Sequence, residues 1–158
     1  LAPLLTGRGQ AEGLRSGTAA NAQIAGFPAA CQAVMADLGR LERTADIKAY
    51  TLEQLKQAVP KLEVISPGDA PHIRAVTLPG YPSEVLVRVL GDQGICISSG
   101  SACHRGKPSH VFAAMGLPKP WLSGALRLSF SPKTAQEEAD RLVEALQQAS
   151  ERVFPIMS

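Results

Sequence analysis

The chain has 158 residues, 45% hydrophobic and 19% charged, as in a soluble protein of one ordinary domain or one small domain with part of a neighbour. Its 16 basic and 14 acidic residues leave a net charge of +2, which gives no support for a nucleic-acid or membrane-surface partner. No apolar run approaches the ~20 residues of a membrane span.

The opening LAPLLTGRGQ lacks the parts of a signal peptide, and its first residue, Leu1, is read as marking a processed or truncated chain. Residues 1–17 are interrupted by glycine and proline and read as irregular. From Thr18 to about Leu41, Ile24, Phe27, Cys31, Val34, Leu38 and Leu41 recur every three or four residues, the stripe of an amphipathic helix. Pro28 inside it is expected to kink it. A second helix is predicted over about 46–59, through Ile47, Leu52, Leu55 and Val59, stopping at Pro60.

The period then changes. Residues 62–65 and 73–78 read as short strands separated by Ser-Pro-Gly-Asp. Pro82 and Ser83 open a helix ending near Gly91 or Gly94, and residues 95–98 form another strand. A short helix at 109–116 precedes strand 125–130, where Leu126, Leu128 and Phe130 alternate with Ala125, Arg127 and Ser129. Thr134 and Glu137 have capping-box spacing for a last helix, 134–153, packed through Leu142, Leu146, Ala149 and Val153. From residue 62 onward this order predicts a small sheet covered by helices, an α+β or α/β sandwich.

The loop SSGSACHRGK, residues 98–107, carries the most chemistry. It places Cys103 among small residues beside His104, Arg105 and Lys107, and neighbouring positive charge lowers a thiol pKa from about 8.5. On residue types alone, a loop cysteine of no consequence is as good a reading. Cys96, between Ile95 and Ile97, and Cys31, in the first helix's stripe, read as small core residues. The three cysteines are too widely spaced for a disulfide framework, so a reducing cytoplasm is the expected setting. Cys96, Cys103, His104 and His110 match no zinc spacing, so no metal is assigned. Arg127 faces away from the leucines of its strand, where its planar fork suits a carboxylate; a plain surface arginine is the competing reading. GRGQAEGLRSGT places Thr18 at the start of a helix, where a hydroxyl serves a bound anion or simply caps.

Four segments in order, GRGQAEGLRSGT through IAGF, PHIRAVTLPG, ISSGSAC, and PSHVFAAMGL leading to ALRLSF, resemble the C-terminal part of class V aminotransferase-type cysteine desulfurases of group I. The resemblance covers nearly the whole chain. It implies the C-terminal domain of the fold type I (aspartate aminotransferase-like) transferases. Residues 1–17 would then be a remnant of the large, PLP-binding domain, 18–60 linking helices, and 61–158 the small domain with the cysteine loop.

It also implies a mechanism. Pyridoxal 5′-phosphate (PLP) acts as electron sink for L-cysteine. Cys103 takes the substrate sulfur as a persulfide and alanine is released. Arg127 binds the substrate carboxylate, and Thr18 reaches the PLP phosphate of the partner subunit in a homodimer. The sulfur passes on to an acceptor such as an iron–sulfur scaffold or a tRNA-thiolation protein.

Three departures from the family pattern matter. None of Lys48, Lys56, Lys61, Lys107, Lys119 or Lys133 lies in the family's cofactor-lysine motif, so the isolated chain is expected to be inactive. Ala75 stands where the family often has asparagine. The stretch from Cys103 to Ser109 is about two residues shorter, which at ~3.3–3.6 Å per residue limits the swing of the thiolate. Two alternatives keep the fold: a selenocysteine or cysteine-sulfinate lyase, and a non-enzymatic domain that carries persulfide or mediates dimerisation.

Overall fold

The alternation along 125–130 is realised in the middle of an antiparallel sheet. Its strands are β1 (Glu63–Val64), β2 (Ile73–Thr77), β3 (Ser98–Ser99) and β4 (Ala125–Ser129), in the spatial order β1-β2-β4-β3. The computed structural model describes residues 2–3, 6–7, 14, 16–65, 68–99 and 109–153, in two units, Leu1–Leu38 and Gly39–Ser158.

In the second unit β4 pairs with β2 from Ile73↔Ser129 to Thr77↔Ala125, and with β3 through Ser98↔Arg127 and Ser99↔Leu126. Directly opposed residues share a face of a sheet. Val64, Val76, Leu126 and Leu128 therefore line one face, and Ala75, Arg127 and Ser98 the other. The first face is the core. Val76, Leu126 and Leu128 are buried there with Leu55 and Val59 of α2 (Arg40–Ala58), Leu86 and Leu90 of α3 (Ser83–Gly91), and Leu142, Leu146 and Ala149 of α6 (Gln136–Arg152). With every strand antiparallel and helices on the core side, the arrangement is the α+β form of the predicted sandwich.

The first unit contains α1 (Asn21–Met35), with Pro28 inside it. The predicted helix 18–41 is in fact interrupted at residues 36–39, and α2 starts six residues before the expected 46. Ala36 N–H turns back to Gln32 O at 2.9 Å and Asp37 N–H to Val34 O at 3.3 Å, a tightened last turn, and Gly39 follows. Leu38 and Leu41 carry the three-to-four spacing across that break, so periodicity alone does not reveal it. The stripe residues Ile24, Phe27, Cys31 and Val34 are all exposed, which corrects the core assignment of Cys31.

Buried positions of α2 include Thr44, Lys48, Thr51 and Leu55, a stripe more polar than predicted. Each threonine hydroxyl donates to the carbonyl one turn earlier, Thr44 to Arg40 O at 2.7 Å and Thr51 to Ile47 O at 2.6 Å, which satisfies it inside the helix. The α6 cap lies one residue beyond the expected place. Ala135 N–H donates to Glu138 Oε2 at 2.9 Å, while Thr134 Oγ1 accepts from Ser131 N–H at 2.9 Å.

Two glycines stand where other residues would be costly, one for its conformation and one for its space. Gly94, at φ +76 with open space around it, follows α3; Ile95 N–H returns to Leu90 O at 3.0 Å and sends the chain toward β3. Gly124 lies against the carbonyl of Leu78, where a Cβ would collide with backbone, and its own carbonyl accepts from Leu78 N–H at 3.1 Å. Gly124→Ala is expected to destabilise by ~1–3 kcal/mol, as overpacking against backbone does. Gly91→Ala, with open space around its Cβ, is expected to be neutral or stabilising by up to ~1 kcal/mol. Urea unfolding of both variants checks the contrast, and equal midpoints would contradict it.

Candidate functional site

Because β4 is bonded on both sides, its outward-facing residues stand on a rigid strand rather than on a free edge. Arg127 projects from the face opposite the core and is half-buried. Its Nη2 donates to Ser98 Oγ of β3 at 3.2 Å. Its buried Nε finds no acceptor among the described residues, and an orphaned charged donor of this kind is a ready partner for a carboxylate. Across the sheet on β2 the register partner of Arg127 is Ala75, which brings no polar side-chain atom to the guanidinium. The Thr77–Ala125 end of this face is closed by α5 (Lys119–Ser123), where Thr77 Oγ1 donates to Trp121 O at 2.8 Å.

Cys103 and the neighbouring His104, Arg105 and Lys107 lie outside the described residues. The strand that leads to them is described: β3 ends at Ser99, one register step from the Ser98–Arg127 pair. After them comes buried Ser109, ahead of α4 (His110–Ala114).

Thr18 belongs to the first unit and is exposed. Ala20, not Thr18, occupies the N-cap position of α1, which corrects the plain-cap reading. Cys96 is also corrected. Along the extended segment before β3, Ile95 and Ile97 turn inward and are half-buried, so the residue between them turns out and is exposed. It opens on a cleft of about 220 Å³ between Gly94–Ile97, the end of β4 and the start of α6.

Lys48 was not anticipated as a structural residue. Its side chain is covered, and Nζ donates to Ala70 O at 2.8 Å, tying α2 to the segment that enters β2. The signal was its place in the 44, 48, 51, 55 stripe. Burial, and secondarily the nearby Arg74 charge, hold its pKa below 10.5, with Asp69 opposing them.

Comparison with known proteins gives the family. The sequence pattern of the family Aminotransferase class-V matches residues 5–142. This chain belongs to the class V aminotransferase family. Within that family it is 37% identical over 151 residues to a NifS/IcsS protein homolog of Lactobacillus delbrueckii subsp. bulgaricus, covering 92% of this chain and 39% of that protein. It is 38% identical over 150 residues to a cysteine desulfurase of Cereibacter sphaeroides, covering 91% and 38%. A NifS-like protein from Rickettsia africae superposes with a TM-score of 0.81 at 23% identity, over 95% of this chain and 40% of that one, a likeness of fold. The chain spans about two-fifths of the length of these relatives.

Class V aminotransferases imply PLP. The described residues of the second unit fit the substrate end of such a site through Arg127, whose buried Nε has no acceptor among them. Lys48 does not fit the anchoring role, since its Nζ is committed to Ala70 O. Among the described residues no helix is long and apolar enough to cross a membrane.

The Lys48 environment has a testable consequence. The folded chain holds this proton less tightly than the unfolded chain, so the unfolded state binds more protons as pH rises toward 10.5. The stability of wild type relative to Lys48→Met is therefore expected to increase with pH through that window. Urea titrations at several pH values measure it; a difference independent of pH, or one that falls, would contradict the assignment.

Proposed function

We propose that this chain is the small-domain portion of a PLP-dependent cysteine desulfurase, converting L-cysteine to L-alanine and a protein persulfide. The observation that supports it most is the half-buried Arg127 on the open face of β4, its Nε without an acceptor among the described residues, next to the strand that leads toward Cys103. In this reading residues 61–158 form the small domain, 18–60 the linking helices and 1–17 a remnant of the large domain.

When bound, PLP supplies the electron sink that makes the carbon–sulfur bond of cysteine cleavable. The residues of this chain do the rest of what is assigned here. Arg127 binds the substrate carboxylate and so fixes which way its sulfur points. Cys103, as thiolate, accepts that sulfur as a persulfide, favoured by His104, Arg105 and Lys107, its neighbours in sequence. Thr18 donates its hydroxyl to the PLP phosphate of the partner subunit in a homodimer. The lysine that anchors PLP lies outside these 158 residues, so the isolated chain is inactive. The persulfide is handed to an acceptor in the cytoplasm, an iron–sulfur scaffold or a tRNA-thiolation protein.

In the full-length protein with PLP bound, Cys103→Ala is expected to reduce alanine release from L-cysteine to background while PLP binding is retained. Arg127→Gln removes charge-assisted hydrogen bonds to the carboxylate and is expected to lower kcat/KM roughly 10- to 100-fold, mostly through KM. Steady-state assays of alanine check both, and wild-type rates in Cys103→Ala would overturn the proposal.

A further inference from the structure

Resting on that reading of Arg127, we infer that Ser98 is a positioning residue for carboxylate recognition. A guanidinium on a long side chain has many orientations, and a bidentate partner accepts few of them. Three observations assign the selection to Ser98. It is the direct register partner of Arg127 on β3 and shares its face of the sheet. Its Oγ accepts from Nη2 at 3.2 Å. On the other flank the register partner is Ala75, whose side chain has no acceptor to offer.

Holding one terminal nitrogen sets the plane of the guanidinium. The buried Nε, unanswered among the described residues, then presents its N–H in a fixed direction before any substrate arrives. Ser98 contributes to affinity without touching the reacting atoms, by removing orientations that Arg127 would otherwise have to give up on binding. Because β3 is two residues long, this side-chain bond is also a tie between the edge strand and the centre of the sheet.

The test uses the full-length protein with PLP bound and two substrates, L-cysteine and L-cysteinamide, which lacks the carboxylate. Ser98→Ala is expected to raise KM for L-cysteine roughly 3- to 10-fold, with kcat little changed and the amide unaffected. Ser98→Thr, which keeps the hydroxyl, is expected to restore the wild-type value. Equal losses on acid and amide, an unchanged KM for L-cysteine, or no rescue by threonine would overturn the inference. Arg127→Gln separates the two levels: if it leaves discrimination between acid and amide intact, the carboxylate reading of Arg127 itself fails. If it abolishes discrimination while Ser98→Ala does not weaken it, only the role of Ser98 falls. A second readout needs no PLP. In the 158-residue chain, NMR of the Arg127 guanidinium is expected to show slower Cζ–Nη rotation in wild type than in Ser98→Ala, and identical rotation overturns the inference.

Discussion

The double pairing of β4 is the constraint on which the rest depends. A strand bonded on both flanks cannot twist or slide without breaking both ladders, so its register fixes which side chains go to which face. Leu126 and Leu128 go to the helices and are fully covered, and Arg127 between them goes to the opposite face. A slip of one residue would bury the guanidinium among leucines and expose the core, so one alternation sets both stability and site. Gly124 guards the start of this strand, where the chain passes close to Leu78.

Charge is handled differently on the two faces. On the helix side Lys48 is covered and answered by a backbone carbonyl, while its burial, and after it the Arg74 charge, disfavour the protonated state. On the other side Arg127 is answered only in part, by a serine hydroxyl. A buried donor without an acceptor costs stability unless something fills the vacancy, which is why the proposed carboxylate recognition rests on Arg127 and not on Lys48.

The parts of the fold legible in the sequence were those with a clear period. Leu126, Leu128 and Phe130 announced β4 and its core face, and Leu142, Leu146 and Ala149 announced α6. Other parts were marked less clearly. The strand expected at 95–98 meets β3 only at Ser98, because β3 is two residues long and too short to show alternation, and α5 is built from Lys-Pro-Trp-Leu-Ser, whose proline reads as a breaker although the first turn of a helix accepts it. Cys31 and Cys96 were placed inside because of apolar neighbours, yet exposure depends on what lies opposite, and a linear pattern does not contain that. The outward direction of Arg127 was readable from the strand alone. Its partner Ser98 was not, because 29 residues separate the two and only the β3–β4 register brings them together.

Sulfur transfer to a particular thiol is the central claim, and it has a direct measurement. The full-length protein with PLP bound is given L-cysteine for a single turnover, alkylated rapidly under non-reducing conditions and digested, and the added sulfur is located by peptide mass. The account places it on the peptide bearing Cys103. Sulfur on Cys96 or Cys31 instead, or alanine formed with no persulfide on any peptide of this chain, would contradict it.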